Sequence, residues 1–369
     1  MALADLWAVE LLIAAFAGGA FGAALGALPA FIFTGFMVIA GEAAVVANVD
    51  AGSITGSVAF GAPFSPAISF AGGAAATAYA AKRGYMQSGF DYHNAKDITF
   101  ALGTKPDVLA VGGVFGILGY WLTVASSTFA LPWDPIAMGV TLSALAHRVA
   151  FGYPIIGEVR GDGLLDMSPF EREEMRVMGE SATSDATAGD AATDGGTASE
   201  ADGSSSEPRS DGGTATGNRL AVEPWLPHQY KWGNVAAVSL VAGLLGAYIA
   251  MATGSAFLAF GISAASLLFL NLGVERIPVT HHMTIIGSAG ALASVGGADG
   301  SLLVALVAGG ILGTVAGLFG ELFQRIFYAH GDTHWDPPAA AIVFGSFLIA
   351  VLYIAGVFPG ASYVPTLGF

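Results

Sequence analysis

Apolar runs of about 20 residues, each long enough to cross a bilayer as a helix, recur along the chain and are separated by short clusters of Gly, Pro, Asp and basic residues. Ten spans are predicted. The first five cover about 7–27, 29–48, 63–81, 107–130 and 134–152, and the second five about 233–252, 254–272, 279–297, 301–328 and 336–357. Pro29 follows the first run so closely that spans one and two are expected to form a tight helical hairpin. The expected fold class is all-α, a polytopic transmembrane bundle.

One long polar interval, 153–232, separates a first membrane repeat (1–152) from a second (233–369). Its core, from Glu180 to Glu223, is low-complexity Ser/Thr/Gly/Ala/Asp and holds nine of the 28 acidic residues against two Arg. Such a segment has too little apolar surface to offset the entropy of folding and is expected to be a largely disordered linker. Ahead of it, Ser168-Pro169-Phe170-Glu171 has the form of a capping box with Pro at the first helical position. A short helix running to about Met178 and stopped by Gly179 is predicted there.

Composition strengthens the membrane reading. The chain is 54% hydrophobic and 11% charged, whereas soluble domains carry about 25% charged residues. The 52 glycines lie largely within apolar runs, where glycine lets membrane helices approach closely. The net charge of −15 argues against a nucleic-acid partner. With no cysteine, disulfides and thiolate metal sites are excluded. The first residues, MALAD, lack the positive charge of a cleaved signal, so the first run is expected to be a retained helix.

The charges also set an orientation. With 153–232 placed in the cytoplasm, alternate counting puts all 13 basic residues inside, from Lys82, Arg83, Lys96 and Lys105 to Arg276 and Arg325. No external segment then holds a Lys or Arg, as positive-inside bias requires. Both termini are expected outside, in the cell membrane.

The halves share an order of features. Gly112-Gly113-Val114-Phe115-Gly116 matches Gly309-Gly310-Ile311-Leu312-Gly313, and Trp133-Asp134-Pro135 matches Trp335-Asp336-Pro337. Pro66, ahead of Gly72-Gly73, pairs more loosely with Pro278, ahead of Gly287. Five spans per half is an odd number, so the second repeat is inverted, a layout of many secondary transporters. The layout resembles the five-plus-five arrangement of amino-acid/sodium symporters and urea channels, without their motifs. The chain outside the linker also resembles a glycine-rich family of archaeal and bacterial multi-pass membrane proteins of unknown function. Its acidic linker is similar to those of salt-loving archaea.

Several residues are candidates for function. Glu42 lies within span two, where an ionisable group is costly and suits proton coupling. His281 and His282 open span eight and are candidates for substrate binding or proton relay, against a plain reading as interfacial residues. Asp134 and Asp336 each precede Pro at a helix start; capping explains them, and a pair of symmetry-related gates is the functional alternative. Gly18/Gly22/Gly26, Gly112/Gly116 and Gly309/Gly313/Gly317 are predicted helix-packing positions. Glu321 and Arg325 have the spacing of a helical ion pair. His147, beside Arg148, reads as structural. The stretch around Gly61, Pro63 and Pro66 fits a re-entrant segment or a plain external loop equally well. Asp91, His93 and Asp97 in the inner loop 83–106 match no firm metal spacing, and that loop reads as solvated. No phosphate loop, zinc-protease helix or nucleophile elbow is present, so no cofactor or metal is expected.

The pattern favours a secondary transporter or facilitator for a small solute or ion. An intramembrane enzyme using Glu42, His281 and His282, and a membrane anchor or complex subunit, are the alternatives. The expected partners are the lipid bilayer and the solute, with a homo-oligomer allowed but not required.

Overall fold

A computed structural model describes residues 3–49, 54–86, 92–176 and 219–369. Among these residues the regular structure is helical. The helices are α1 (Val9–Leu25), α2 (Ala27–Val46), α3 (Ala71–Lys82), α4 (Pro106–Thr128), α5 (Pro135–Phe151), α6 (Ser168–Glu171), α7 (Trp232–Thr253), α8 (Leu258–Asn271), α9 (His281–Val295), α10 (Leu302–Phe327) and α11 (Pro337–Ile354). By length and composition α2, α4, α7, α10 and α11 can each cross a membrane, and α1, α5 and α8 are shorter apolar helices. Large apolar side chains stand exposed at helical spacing, as with Val241, Leu245 and Tyr248 on α7 and Leu303, Val307 and Ile311 on α10. Stripes of that kind suit lipid rather than water.

Lipid tails are as apolar as leucine, so close packing must do what the hydrophobic effect does in water. Glycine supplies it here. α1 lies on α4 so tightly that a Cβ at Gly19 would sit 2.2 Å from the Gly112 carbonyl oxygen. α7 lies on α10 in the same way, with a Cβ at Gly243 falling 2.6 Å from the Gly309 oxygen. The predicted Gly112, Gly116, Gly309 and Gly313 sit at these crossings, and Gly317 faces Ser239 of α7. The Gly18/Gly22/Gly26 row does not form one face. Gly18 meets Ala62, Gly22 meets Ser69, and Gly26 makes the α1–α2 turn at φ +97°. Gly19, one residue off that row, contacts α4 together with Ala15, Phe16 and Ala23.

The N-terminal predictions for α5 and α11 are met at the atomic level. Asp134 accepts the Ala137 N–H at 2.8 Å and Asp336 accepts the Ala339 N–H at 2.8 Å, each with Pro at the next position. These bonds satisfy amide donors that a helix start otherwise leaves free.

Elsewhere the structure departs from the sequence reading. The stretch expected as a re-entrant segment or loop contains two wide helical turns, Ile54–Ala59 and Pro66–Phe70, the second running directly into α3. The helix predicted from Ser168 to about Met178 spans only Ser168–Glu171, and its capping box does not form. The Ser168 N–H and hydroxyl both donate to Asp166, at 2.9 and 3.0 Å, because a carboxylate two residues back is the nearer and stronger acceptor. Residues 177–218, with most of the acidic tract, lie outside the described residues, as does Asp91. The flanks of the linker are packed rather than solvated: Arg219, Val222 and Glu223 are buried, and Met175 pairs with Leu220 as a single antiparallel bridge.

Candidate functional site

α5 and α11 run antiparallel across the centre of the molecule. Near the end of α5, Arg148 Nε donates to Thr333 Oγ1 at 2.8 Å, just ahead of α11. At the start of α5, the Asp134 N–H donates to Ser346 Oγ at 2.8 Å, midway along α11. The Asp336 cap therefore lies at the start of α11, and the Asp134 cap beside its middle. Beside this pair, α2 packs against α8. The four helices, with Thr123 and Ser127 of α4, the start of α9 and the 54–70 segment, line a partly open cavity of about 270 Å³.

Its wall is mainly aromatic and aliphatic, including Phe31, Phe60, Phe70, Phe257 and Phe260. Asp134 and Tyr363 line it towards one end, and Asp336, Trp225 and Leu226 towards the other. The Asp336 carboxylate also meets His334 Nε2 at 3.1 Å. The Tyr363 hydroxyl is buried beside the Asp134 carboxylate, with which it interacts.

The structure sorts the predicted site residues into two groups. Asp134, Asp336 and His281 share the cavity wall. His281, expected at an interface, is 5% exposed, and its ring centroid lies 4.8 Å from that of Phe31 and 5.8 Å from that of Phe260. Its Nδ1 is buried without a partner. His282 is equally buried but faces away, towards a small void beside Glu321 and Tyr230. Glu42 is not on the cavity wall either. One carboxylate oxygen accepts from Thr55 Oγ1 at 2.7 Å and the other accepts from Ser255 Oγ. Ser255 Oγ in turn accepts the Leu258 N–H at 2.9 Å, at the start of α8. Glu42 thus ties α2, the 54–59 turn and α8 together.

A second cluster is ionic and lies where the connections 92–97, 153–176, 219–230 and 329–335 meet. Lys96 Nζ is 2.6 Å from Glu223 Oε2, with both side chains fully shielded. Arg219 reaches both Glu223, at 3.3 Å, and Asp332, at 2.8 Å. Burial pushes the Lys96 ammonium down to about 8 against the pull of Glu223. Burial and the Arg219 charge push His93 down to about 3, and its Nδ1 accepts the Ala95 N–H at 3.1 Å, which holds the ring neutral. His93 and Asp97 are both engaged in turns of this segment, Asp97 through the Thr99 N–H at 3.2 Å. The predicted Glu321–Arg325 pair is present at 2.6 Å.

Three contributors to the cavity wall were not anticipated. Trp225 and Leu226 come from the linker, yet they line the cavity. A scarce Trp in the apolar quartet Pro224-Trp225-Leu226-Pro227 was the available signal. Tyr363, near the C-terminal end, carried none.

No curated protein and no solved structure matches this chain. Residues 1–367 match the DUF7973 family, a family of unknown function, and the chain belongs to it.

Proposed function

We propose that the protein is a secondary transporter or facilitator for a small solute, built as two five-helix repeats inserted in opposite orientations. The observation that carries this reading is the cavity itself: it lies between the halves, and corresponding residues from each line it. Ala137 and Val140 of α5 stand three and six residues beyond Asp134, and Ala339 and Ile342 of α11 stand likewise beyond Asp336.

Packing supports the repeat. Gly19 with Gly112 corresponds to Gly243 with Gly309, and Gly22 against Ser69 corresponds to Gly246 against Thr284. On that register Gly72 aligns with Gly287 and Pro66 with His281.

The connections fall into two groups, which supports alternate crossing. In one, Ile98 O accepts the Leu28 N–H at 2.9 Å, Ala95 O accepts the His334 N–H at 3.2 Å, and Gln229 bonds Val279. In the other, Glu42 joins Thr55 to Ser255, Ala293 O accepts the Gly360 N–H at 3.2 Å, and Ala130 O accepts the Leu367 N–H at 2.8 Å. The first group contains the segments assigned to the cytoplasm and the second those assigned outside. On this reading the linker arm carrying Trp225 and Leu226 closes the inner end of the cavity, held by the Lys96–Glu223 pair. Relative movement of two similar units around a fixed midplane site is the physical basis of alternating access.

Reconstituted liposomes test the proposal. Osmotic shock with a panel of small neutral and charged solutes should show protein-dependent flux of at least one. Ala137→Phe, which fills the cavity, should remove that flux while the protein still inserts. Flux unchanged by Ala137→Phe, or none for any solute, contradicts it.

A further inference from the structure

The wall of the cavity carries information about what fits it. We infer that it binds a small organic cation: an ammonium group on an apolar, preferably aromatic, body. Taking about 30 Å³ for each water-sized group, the volume of about 270 Å³ accommodates about nine non-hydrogen atoms.

Charge decides the sign. The lining contains two carboxylates, Asp134 and Asp336, and no Lys or Arg. Each carboxylate gives a hydrogen bond's worth of acceptor capacity to a helix cap, and Asp336 also meets His334. Acceptor capacity remains on both, since an ionised carboxylate takes about four hydrogen bonds. An anion entering this wall would meet like charge with no Lys or Arg in the lining to compensate it, a desolvation cost that the neutral donors there offset only in part.

Chemistry decides the kind of cation. A hard metal ion such as Ca²⁺ takes about six to eight oxygen ligands, and the two carboxylates do not converge on one point: Asp336 caps the start of α11, and Asp134 lies beside Ser346, midway along it. The faces of Phe31, Phe60, Phe70, Phe257 and Phe260 suit instead an alkylammonium or aryl body, through dispersion and cation–π attraction. One buried polar atom without a partner also lies on a side chain of this wall, His281 Nδ1. Buried polar atoms are ordinarily paired, and an N–H donor on the ligand would pair it.

The inference rests on reading the cavity as a solute site, and its test separates binding from transport. The full chain in detergent is titrated calorimetrically with phenethylammonium, which has the expected size, with 2-phenylethanol as its neutral counterpart, and with phenylacetate as the anion. Phenethylammonium should bind about tenfold or more tighter than the alcohol, a difference of about 1.4 kcal/mol, and phenylacetate should not bind. Asp134→Asn and Asp336→Asn keep a capping side chain, so the fold should survive. At least one of them should weaken ammonium binding about tenfold and leave alcohol binding unchanged.

Equal or tighter binding of the alcohol or the carboxylate overturns the inference and marks the cavity as a generic apolar or lipid-tail site. Absence of ammonium binding to a protein that melts normally also overturns it, as does indifference to both Asn variants. Binding as predicted without flux in liposomes removes the transport reading and leaves this one standing. Flux of a neutral solute without ammonium binding does the reverse.

Discussion

Lys96 and Glu223 lie 127 residues apart in sequence and meet at 2.6 Å with no exposed side-chain surface on either. The pair ties the first half of the chain to the arm that places Trp225 and Leu226 on the cavity wall. Removing Lys96 leaves the buried Glu223 with Arg219, at 3.3 Å, as its remaining counter-charge, a cost below the about 3–5 kcal/mol of a fully stranded charge. Lys96→Met should therefore lower the thermal midpoint in detergent and open the arm at Arg219, which is buried in the folded protein, to trypsin. Lys96→Met combined with Glu223→Gln should recover part of the loss, because the second change removes the stranded charge. Equal trypsin sensitivity in Lys96→Met and wild type contradicts the arm's attachment.

The same cluster should be acid-labile. His93 binds its proton at about 3 in the folded protein, against about 6.5 in an unfolded chain. Between those values the unfolded state holds a proton that the folded state lacks, so stability is complete above about pH 6.5 and falls as the pH drops through the window. Arg219, Lys96 and Arg176 all oppose the charged ring and Asp332 favours it. Comparing melting at about pH 7 and pH 4.5, wild type should lose about 2–3 kcal/mol more than His93→Gln. An identical acid loss in both proteins rules His93 out as a contributor.

Close packing sets a third expectation. Gly19→Ala puts a methyl group 2.2 Å from a backbone oxygen, so α1 and α4 must separate. Overpacking of this kind costs about 1–3 kcal/mol or more. Gly233→Ala, at a position with nothing within 4 Å, should be neutral or slightly stabilising. Melting of both variants in one detergent checks this, and equal melting temperatures argue against the glycine crossing.

Orientation has a direct chemical readout, helped by the absence of cysteine. Leu131 and Thr333 flank the two Trp-Asp-Pro starts, but Thr333 is fully buried beneath Arg148 and suits labelling poorly. Thr104 and Ser301 are both exposed, and the Gly112–Gly309 register makes them equivalent positions ahead of α4 and α10. In intact cells an impermeant maleimide should modify Ser301→Cys and spare Thr104→Cys until the membrane is opened. Modification of both from outside contradicts the inverted arrangement.

Helices were far more legible in the sequence than their connections. The predicted apolar runs 134–152 and 336–357 are found as the helices Pro135–Phe151 and Pro337–Ile354, because run length and an Asp-Pro start are local signals. Glu321–Arg325 was legible for the same reason, its partners being one turn apart. Lys96 looked like any loop lysine, since its burial depends on a glutamate in a linker otherwise too polar to fold. The two histidines of α9 show the limit most clearly. A polar pair marks a helix start, but nothing local says that this start lies deep in the protein, with one ring in the cavity and its neighbour turned away. Glu42 was legible as buried, while its role in holding Thr55 and Ser255 required the fold.

The central claim is that the cavity between the halves opens to each side of the membrane in turn. Val140, 4% exposed and on the cavity wall, is the position at which to measure it. Val140→Cys should be modified slowly by an impermeant thiol reagent in right-side-out vesicles and also in inverted ones, and a bound ligand should slow both reactions. Modification from neither side, or from one side only under every condition, contradicts the account.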